Sequence, residues 1–279
     1  MSTRIATNTT SYAAYLALTN NQEMMDASIQ KLSTGFRINK ASDDAAGAAI
    51  SDQLTASAAS LQAAQRNASQ AASVLQIADG GVQTIASILD RMKELATEAA
   101  SDSSGTTGRA NLNAEYQQLV QEIDQISQTT QYQGSNLLDG TYSGTFLVSS
   151  SGQYATNDTI TLSGAGLNMA SATLLGAAAG DLTTLANAQG ELTKIDTAIT
   201  NVGTAIGTIG AAESRIQYAT TNVGSTFQNV QSANSVIKDT DMAYEMTQFT
   251  KYQILSQAST AMLAQANQAP QSILKLISG

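Results

Sequence analysis

The sequence predicts a mainly α protein: a long antiparallel coiled-coil or helical-bundle rod with paired terminal helices and a small β-hairpin region in the middle of the chain. Two heptad series and one break in pattern carry that expectation. Stepping by seven from Leu54 gives Leu61, Ala68, Leu75, Val82, Leu89 and Ala96, and a companion series runs Ser57, Ala64, Ala71, Ala78, Ile85, Met92 and Ala99. An apolar or small stripe sustained over so many heptads marks a long helix held in a coiled coil. At a rise of 1.5 Å per residue it would span roughly 70 Å, and it needs an equally long partner to bury the stripe. The partner is a second series, Ala188, Ile195, Val202, Ile209, Ile216, Val223, Val230 and Ile237, with companions Leu185, Leu192, Ile199, Ile206, Glu213, Thr220, Phe227 and Asn234. Between the two, the helical period is lost over 131–180. There Thr145-Phe-Leu-Val and Thr159-Ile-Thr-Leu alternate with the turn-rich stretches Ser149–Gly152 and Gly164–Gly166, the pattern of a hairpin.

The remaining elements follow in order. Over 1–34, Ile5, Tyr12, Leu16, Met25, Ile29 and Leu32 recur at sums of three and four, which gives a helix one apolar face. Gly35 reads as its stop and Phe36-Arg37-Ile38-Asn39 as a connector. Ser42-Asp43-Asp44 then supplies an N-cap and first-turn acidic residues for the long helix, with a packing role beside Arg37. Gly80-Gly81 costs that helix about 1 kcal/mol per glycine and predicts a soft point without a break. Ser101–Gly108 is a polar turn, after which Leu112, Tyr116, Leu119, Ile123 and Ile126 mark a helix able to fold back on the first. The last amphipathic segment, 242–277, carries Met242, Met246, Phe249, Leu255 and Met262 and closes with Pro270 and Ile273-Leu274-Lys275-Leu276-Ile277. The expected domains are therefore 1–41 with 236–279, 42–140 with 181–235, and a variable surface region 141–180. The terminal helices have little to bury their apolar faces against as a pair, which predicts that they order on assembly.

Composition narrows the function. Charged residues are 13% of the chain, about half the usual share. One proline in 279 residues suits uninterrupted helices. A net charge of −9 argues against nucleic acid. No run of about 18 apolar residues predicts a membrane span, and the first residues lack the apolar core of a cleaved signal peptide. With no cysteine there is no disulfide or thiol chemistry. With no histidine there is no Ser–His triad and no His-containing zinc site. Asp43-Asp44 reads as a capping pair and not as a metal or acid–base site, and Gly80-Gly81 lacks the strand and the Lys-Ser/Thr of a phosphate loop. No enzyme, cofactor or metal is expected. Asn8, Asn67 and Asn157 match the N-glycosylation pattern by chance; the Ser/Thr-rich stretch from Ser143 to Thr161 is the better candidate for O-linked glycan.

Two stretches carry a family resemblance. Lys31-Leu-Ser-Thr-Gly-Phe-Arg-Ile-Asn-Lys-Ala-Ser-Asp-Asp-Ala-Ala-Gly-Ala-Ala-Ile50 resembles the bacterial flagellin N-terminal signature RLSSGxRINxAxDDAAGxAI. Ala264-Gln-Ala-Asn-Gln-Ala-Pro-Gln-Ser-Ile-Leu274 is similar to the family's ANQxPQxxL ending, and Gln131-Tyr132-Gln133-Gly134 with Leu137-Leu138 resembles its QTQFNG…LL stretch. Departures are mild: Lys31 for Arg, Ile5-Ala6-Thr7-Asn8 for INTN, and Lys238 where many members have Arg.

The resemblance implies an extracellular structural subunit of the flagellar filament. It implies export in an unfolded state through the flagellar type III apparatus with an export chaperone, and self-assembly through the terminal helices into a helical polymer used for motility. Filament cap and junction proteins are implied partners, with no nucleic acid and no membrane. On that reading Ile5, Tyr12, Leu16, Met25, Ile29, Leu32, Met246, Phe249, Met262, Ile273, Leu274 and Leu276 are candidate polymerisation contacts. Asp90-Arg91-Met92-Lys93-Glu94-Leu95-Ala96 resembles the family segment QRVRELA, and Glu115–Asp124 resembles EITQRLNEID. Carried over, Arg91, Leu95 and Glu115 are candidate contacts for the animal Toll-like flagellin receptor. The nearest rival, a hook–filament junction protein, usually has proline after the paired aspartates, where this chain has Ala45-Ala46-Gly47. A soluble enzyme lacks its His and Cys here, and a coiled-coil adaptor has no reason to carry both terminal signatures.

Overall fold

A computed structural model describes residues 7–149, 159–163, 166–176 and 180–278, with side chains described to residue 268 and not at 162–163. Helix α1 is Thr9–Thr34, α2 Ala45–Ala99, α3 Gly105–Thr129, α4 Ser171–Leu174, α5 Leu185–Lys238 and α6 Met242–Ser278. Strands β1 (Gln131–Tyr132) and β2 (Ser135–Asn136) form one antiparallel pair, and β3 (Ser143–Leu147) and β4 (Thr159–Ser163) another. The chain divides into two compact units, Met1–Ala56 with Asn229–Gly279, and Ser57–Gln228.

In the second unit the first heptad series buries as expected. Leu61, Ala64, Ala68, Ala71, Leu75, Ala78, Val82, Ile85, Leu89, Met92, Ala96 and Ala99 are all buried. In α5 the series from Ala188 to Val223 is also inside, but its companion is displaced by one residue. The buried partners are Glu191, Ala198 and Ala205, while Leu192, Ile199 and Ile206 sit half-buried beside the core. Small side chains let neighbouring helices approach, so the alanines take the centre and the larger residues cover the flanks. Polar groups on α3 hold the segment that leads into α5: Asp124 accepts from the Ser171 N–H and hydroxyl, each at 2.8 Å, and Asn113 Oδ1 accepts from Leu182 N at 2.9 Å. Leu167, Met169, Leu174, Leu175 and Leu182 are thereby buried in a region whose sequence has no period to announce it.

The expected hairpin is β3–β4, in register from Ser143↔Ser163 to Leu147↔Thr159. The β1–β2 pair was not anticipated. Its two-residue loop, Gln133-Gly134, has positive φ at both positions (49° and 81°), the backbone of a type I′ turn, whose usual Asn-Gly or Asp-Gly is replaced here by Gln-Gly. The same hairpin explains one of the paired glycines. α2 runs unbroken through Gly80 and Gly81. A Cβ on Gly81 would sit 2.7 Å from Leu138 Cδ1 and 2.9 Å from Thr130 Oγ1, whereas one on Gly80 would meet open space.

In the first unit α1 and α6 pair antiparallel. Asn8 Nδ2 donates to Ala266 O at 2.9 Å, Ser11 Oγ to Asn267 Oδ1 at 2.7 Å and Asn21 Nδ2 to Ser259 Oγ at 3.0 Å, and Lys31 Nζ lies 3.9 Å from Glu245 Oε2. Asn8 is also the N-cap of α1, accepting from Ser11 N at 3.0 Å. Gly35 ends α1 as expected, in the left-handed region at φ 75°, with its N–H donating to Lys31 O at 2.8 Å.

The paired aspartates act differently from the expected pattern. Asp44 is itself the N-cap of α2, accepting from Gly47 N at 2.8 Å. Asp43 Oδ2 instead accepts from Asn39 N (3.0 Å) and Lys40 N (2.9 Å) and closes the turn before the helix. Neither lies in the first turn. Those two N–H donors, that of Lys40 first, hold the Asp43 carboxyl below the ordinary carboxylate value. Nor is Arg37 directed at them: its Nη2 donates to Ile237 O at 2.8 Å and its N–H to Lys238 O at 2.6 Å. A side chain on Gly47 would run into the Asp44 carboxylate and Ile38 Cδ1, so the Asp-Asp-Ala-Ala-Gly run is a single capping device.

Candidate interaction surfaces

The seam between α1 and α6 is set by heptad spacing. On α1 the inward positions, all buried or half-buried, are Ser11, Ala14, Leu18, Asn21, Met25, Ser28 and Leu32. On α6 they are Glu245, Phe249, Tyr252, Ser256, Ser259, Leu263 and Ala266. Each set steps by three and four, the coiled-coil period. Just over half of the seam is small or polar, and among the described side chains of these helices the buried ones are Ser28 and Glu245.

Leu18, Met25, Leu32, Phe249, Tyr252 and Leu263 are the large seam residues, and many other large apolar side chains lie outside it. Tyr12, Tyr15, Leu16, Met24 and Ile29 on α1 are exposed, as are Met242, Tyr244, Met246, Ile254, Leu255 and Met262 on α6. At about 100° per residue, Met242 and Met246 flank one side of the α6 seam, Tyr244, Leu255 and Met262 the other, and Ile254 points away from it. The helix pair thus has a mixed seam and leaves large apolar side chains uncovered on several sides, and exposed apolar surface of this kind is a candidate interaction site.

The candidate polymerisation residues therefore divide. Tyr12, Leu16, Ile29, Met246 and Met262 are on the exposed faces. Met25, Leu32 and Phe249 lie half-buried in the seam, because heptad spacing turns them toward the partner helix. Ile5, and the side chains of Ile273, Leu274 and Leu276, lie outside the described residues. The α6 backbone continues helical through Pro270 to Ser278. Sequence reading missed Tyr15, Met24, Tyr244 and Ile254, which fall off the stripe it followed; the signal was apolar residues on more faces than one helix partner can cover.

The candidate receptor residues are on α2 and α3 of the second unit. Arg91 and Glu115 are each about half exposed and paired. Arg91 Nε and Nη2 both donate to Glu115 Oε1, at 2.9 and 2.8 Å, and Nη1 donates to Glu94 Oε2 at 2.9 Å. Glu115 first, then Glu94, raises the guanidinium pKa further above its ordinary value. Leu95 is 1% exposed and belongs to the core, so it supports this surface from beneath and presents none of its own. Of the glycan candidates, Asn67 Nδ2 donates to Leu147 O at 3.2 Å, Asn8 is engaged as a cap, and Asn157 with 150–158 lies outside the described residues.

Comparison with known proteins assigns the chain to a family. The family profile of the bacterial flagellin N-terminal helical region matches residues 5–143, and that of the flagellin C-terminal helical region matches residues 192–277. The chain is 39% identical to a flagellin of Halalkalibacterium halodurans over 251 residues, 89% of this chain and 90% of the relative. It is 34% identical to a flagellin of Listeria monocytogenes, covering 98% of this chain and 99% of the relative. Among solved structures it resembles Bacillus cereus flagellin with a TM-score of 0.50 and 32% identity, over 57% of this chain and 88% of that one. Matches at both ends and along nearly the full length of these relatives show that the chain belongs to the bacterial flagellins.

Proposed function

We propose that this structural subunit of the extracellular flagellar filament adds to its polymer through the exposed faces of α1 and α6. The observation that carries the reading is the uncovered apolar surface of the helix pair: Tyr12, Leu16, Ile29, Met246, Ile254 and Met262 are exposed around a seam that already holds Leu18, Met25 and Phe249 beside Ser28, Asn21 and Glu245. Burying such side chains against a second copy contributes about 25 cal/mol per Å2, and a heterologous contact that does not close yields a helical filament. Few charges on these helices keep the contact from desolvating unpaired ions. The chain is exported unfolded through the flagellar type III apparatus with a chaperone, guided by its N-terminal segment, and the absence of cysteine leaves no disulfide to obstruct unfolding. Cap and junction proteins meet the same helices at the filament ends.

The test is seeded polymerisation on sheared filament fragments, followed by negative-stain microscopy. Full-length chain forms long filaments, whereas Ile254→Asp and a variant truncated before α6 form none. Ile254→Asp keeps the helical circular dichroism of the parent, because Ile254 is outside the seam. Filaments from Ile254→Asp as long as those of the parent would remove this face from the interface.

Arg91 and Glu115 are a candidate surface for the animal Toll-like flagellin receptor. What supports this is their exposure and the two hydrogen bonds to Glu115 that hold Arg91 in one orientation, which lowers the entropy lost on binding. Arg91→Ala weakens binding of the isolated receptor ectodomain; unchanged affinity would sink the assignment.

A further inference from the structure

The chain has no cysteine and eight methionines, so its sulfur redox chemistry rests wholly on thioethers. These are not evenly distributed. Met92 and Met169, in the second unit, are at most 2% exposed, whereas Met24, Met242, Met246 and Met262, all on α1 and α6, are between 47% and 64% exposed. Met25 is half-buried in the α1–α6 seam, and Met1 lies outside the described residues. Each exposed methionine is also outside that seam. Met242 and Met246 stand one turn apart beside Phe249, and Met262 shares its face with Leu255.

We propose that Met24, Met242, Met246 and Met262 are an oxidation site that controls assembly, their conversion to sulfoxides by a peroxide preventing the subunit from joining a polymer while leaving its fold intact. The inference rests on the assembly reading above. Thioether sulfur attacks one oxygen of hydrogen peroxide; an S–O bond forms, the O–O bond breaks, and the second oxygen leaves as water after proton transfer. Sulfur loses two electrons and the peroxide gains them. The product is polar and an acceptor of hydrogen bonds where an apolar side chain stood, and sulfoxide reductases reverse it. Burial of a sulfoxide against a second copy without a donor carries the penalty of an unsatisfied polar group, repeated at four positions per subunit. The fold is spared because the core methionines are inaccessible and the exposed ones contribute little to the intrachain seam.

The experiment treats full-length monomer with hydrogen peroxide, removes the excess with catalase, locates sulfoxides by peptide mass mapping and measures elongation on sheared seeds. Oxidation is expected at the four exposed methionines and not at Met92 or Met169, with unchanged helical circular dichroism and elongation slowed about tenfold or more. Methionine sulfoxide reductase restores elongation. A variant with all four changed to Leu, close in volume and inert to peroxide, elongates equally with and without treatment. If that variant does not assemble untreated, reductase rescue of the parent chain decides. Elongation unchanged in chain carrying the four sulfoxides, or loss in the treated Leu variant as large as in the parent, would overturn the proposal. Failure of untreated parent chain to elongate would instead tell against the assembly reading.

Discussion

The Tyr116 hydroxyl donates to Glu191 Oε2 at 2.9 Å inside the core of the second unit, and Lys194 Nζ meets the other carboxylate oxygen at 2.7 Å. Glu191 is 3% exposed and takes the inward place that the heptad reading of α5 gives to Leu192. A buried carboxylate costs several kcal/mol unless it is paired and hydrogen-bonded, so these two contacts belong together. Tyr116→Phe removes a donor and leaves the carboxylate oxygen unpaired; it should cost about 1–3 kcal/mol in urea unfolding. Tyr116→Phe with Glu191→Leu should recover part of that loss, since both polar groups leave the core together.

The same pair sets an alkaline limit. Burial first, then the charge of Glu191, raises the Tyr116 pKa well above its ordinary 10.0. A group whose folded pKa is raised contributes stability that is whole below the unfolded value and lost as pH rises above it. Stability of the parent chain should fall above pH 10.0 more steeply than that of Tyr116→Phe, as chemical denaturation at a series of alkaline pH values would register.

Gly80 and Gly81 make opposite predictions from one dipeptide. Gly80→Ala places a methyl in open space on a helix and should stabilise by about 0.8–1 kcal/mol. Gly81→Ala drives a methyl against Leu138 and Thr130 and should destabilise by about 1–3 kcal/mol, helix propensity notwithstanding. Thermal unfolding of the two variants distinguishes them by the sign of the shift in Tm.

The two aspartates separate by pH and by position. Asp44→Ala removes the α2 N-cap and should cost about 0.5–2 kcal/mol. Asp43 has a depressed pKa, so its contribution is present above the ordinary value of 3.8 and lost as pH falls through its lowered one. The Asn39 and Lys40 amides should lose hydrogen-exchange protection, measured against the intrinsic rate at each pH, in that acid window and at neutral pH in Asp43→Ala.

Arg91 and Leu95 are four residues apart and should behave oppositely. Arg91→Ala breaks exposed, solvent-screened ion pairs and should leave the unfolding curve nearly unchanged, so lost receptor binding would report on contact. Leu95→Ala opens the core at a cost of about 2–5 kcal/mol, so binding lost there would reflect folding. Unfolding curves measured beside the binding assay make the distinction.

The sequence by itself determined the elements whose signal is periodic. A heptad repeat states which residues of α2 are buried whatever the partner, because geometry of a helix alone places Leu61 and Met92 on one stripe; the helix stop at Gly35 and the β3–β4 hairpin are local in the same sense. Tertiary structure decided what depends on a neighbour distant in the chain. It chose Glu191 and not Leu192 for the α5 core because Tyr116 supplies a hydrogen bond that no local pattern encodes. It required glycine at 81 and not at 80 because only Gly81 faces Leu138. On α6 it turned Phe249, Tyr252 and Leu263 into the seam with α1 and left Met246, Ile254 and Met262 uncovered, since one partner helix covers a single face of a helix that is apolar on several. Periodicity identifies a face that seeks burial; whether it finds its cover inside the chain or on another molecule is settled by how closely the backbones approach.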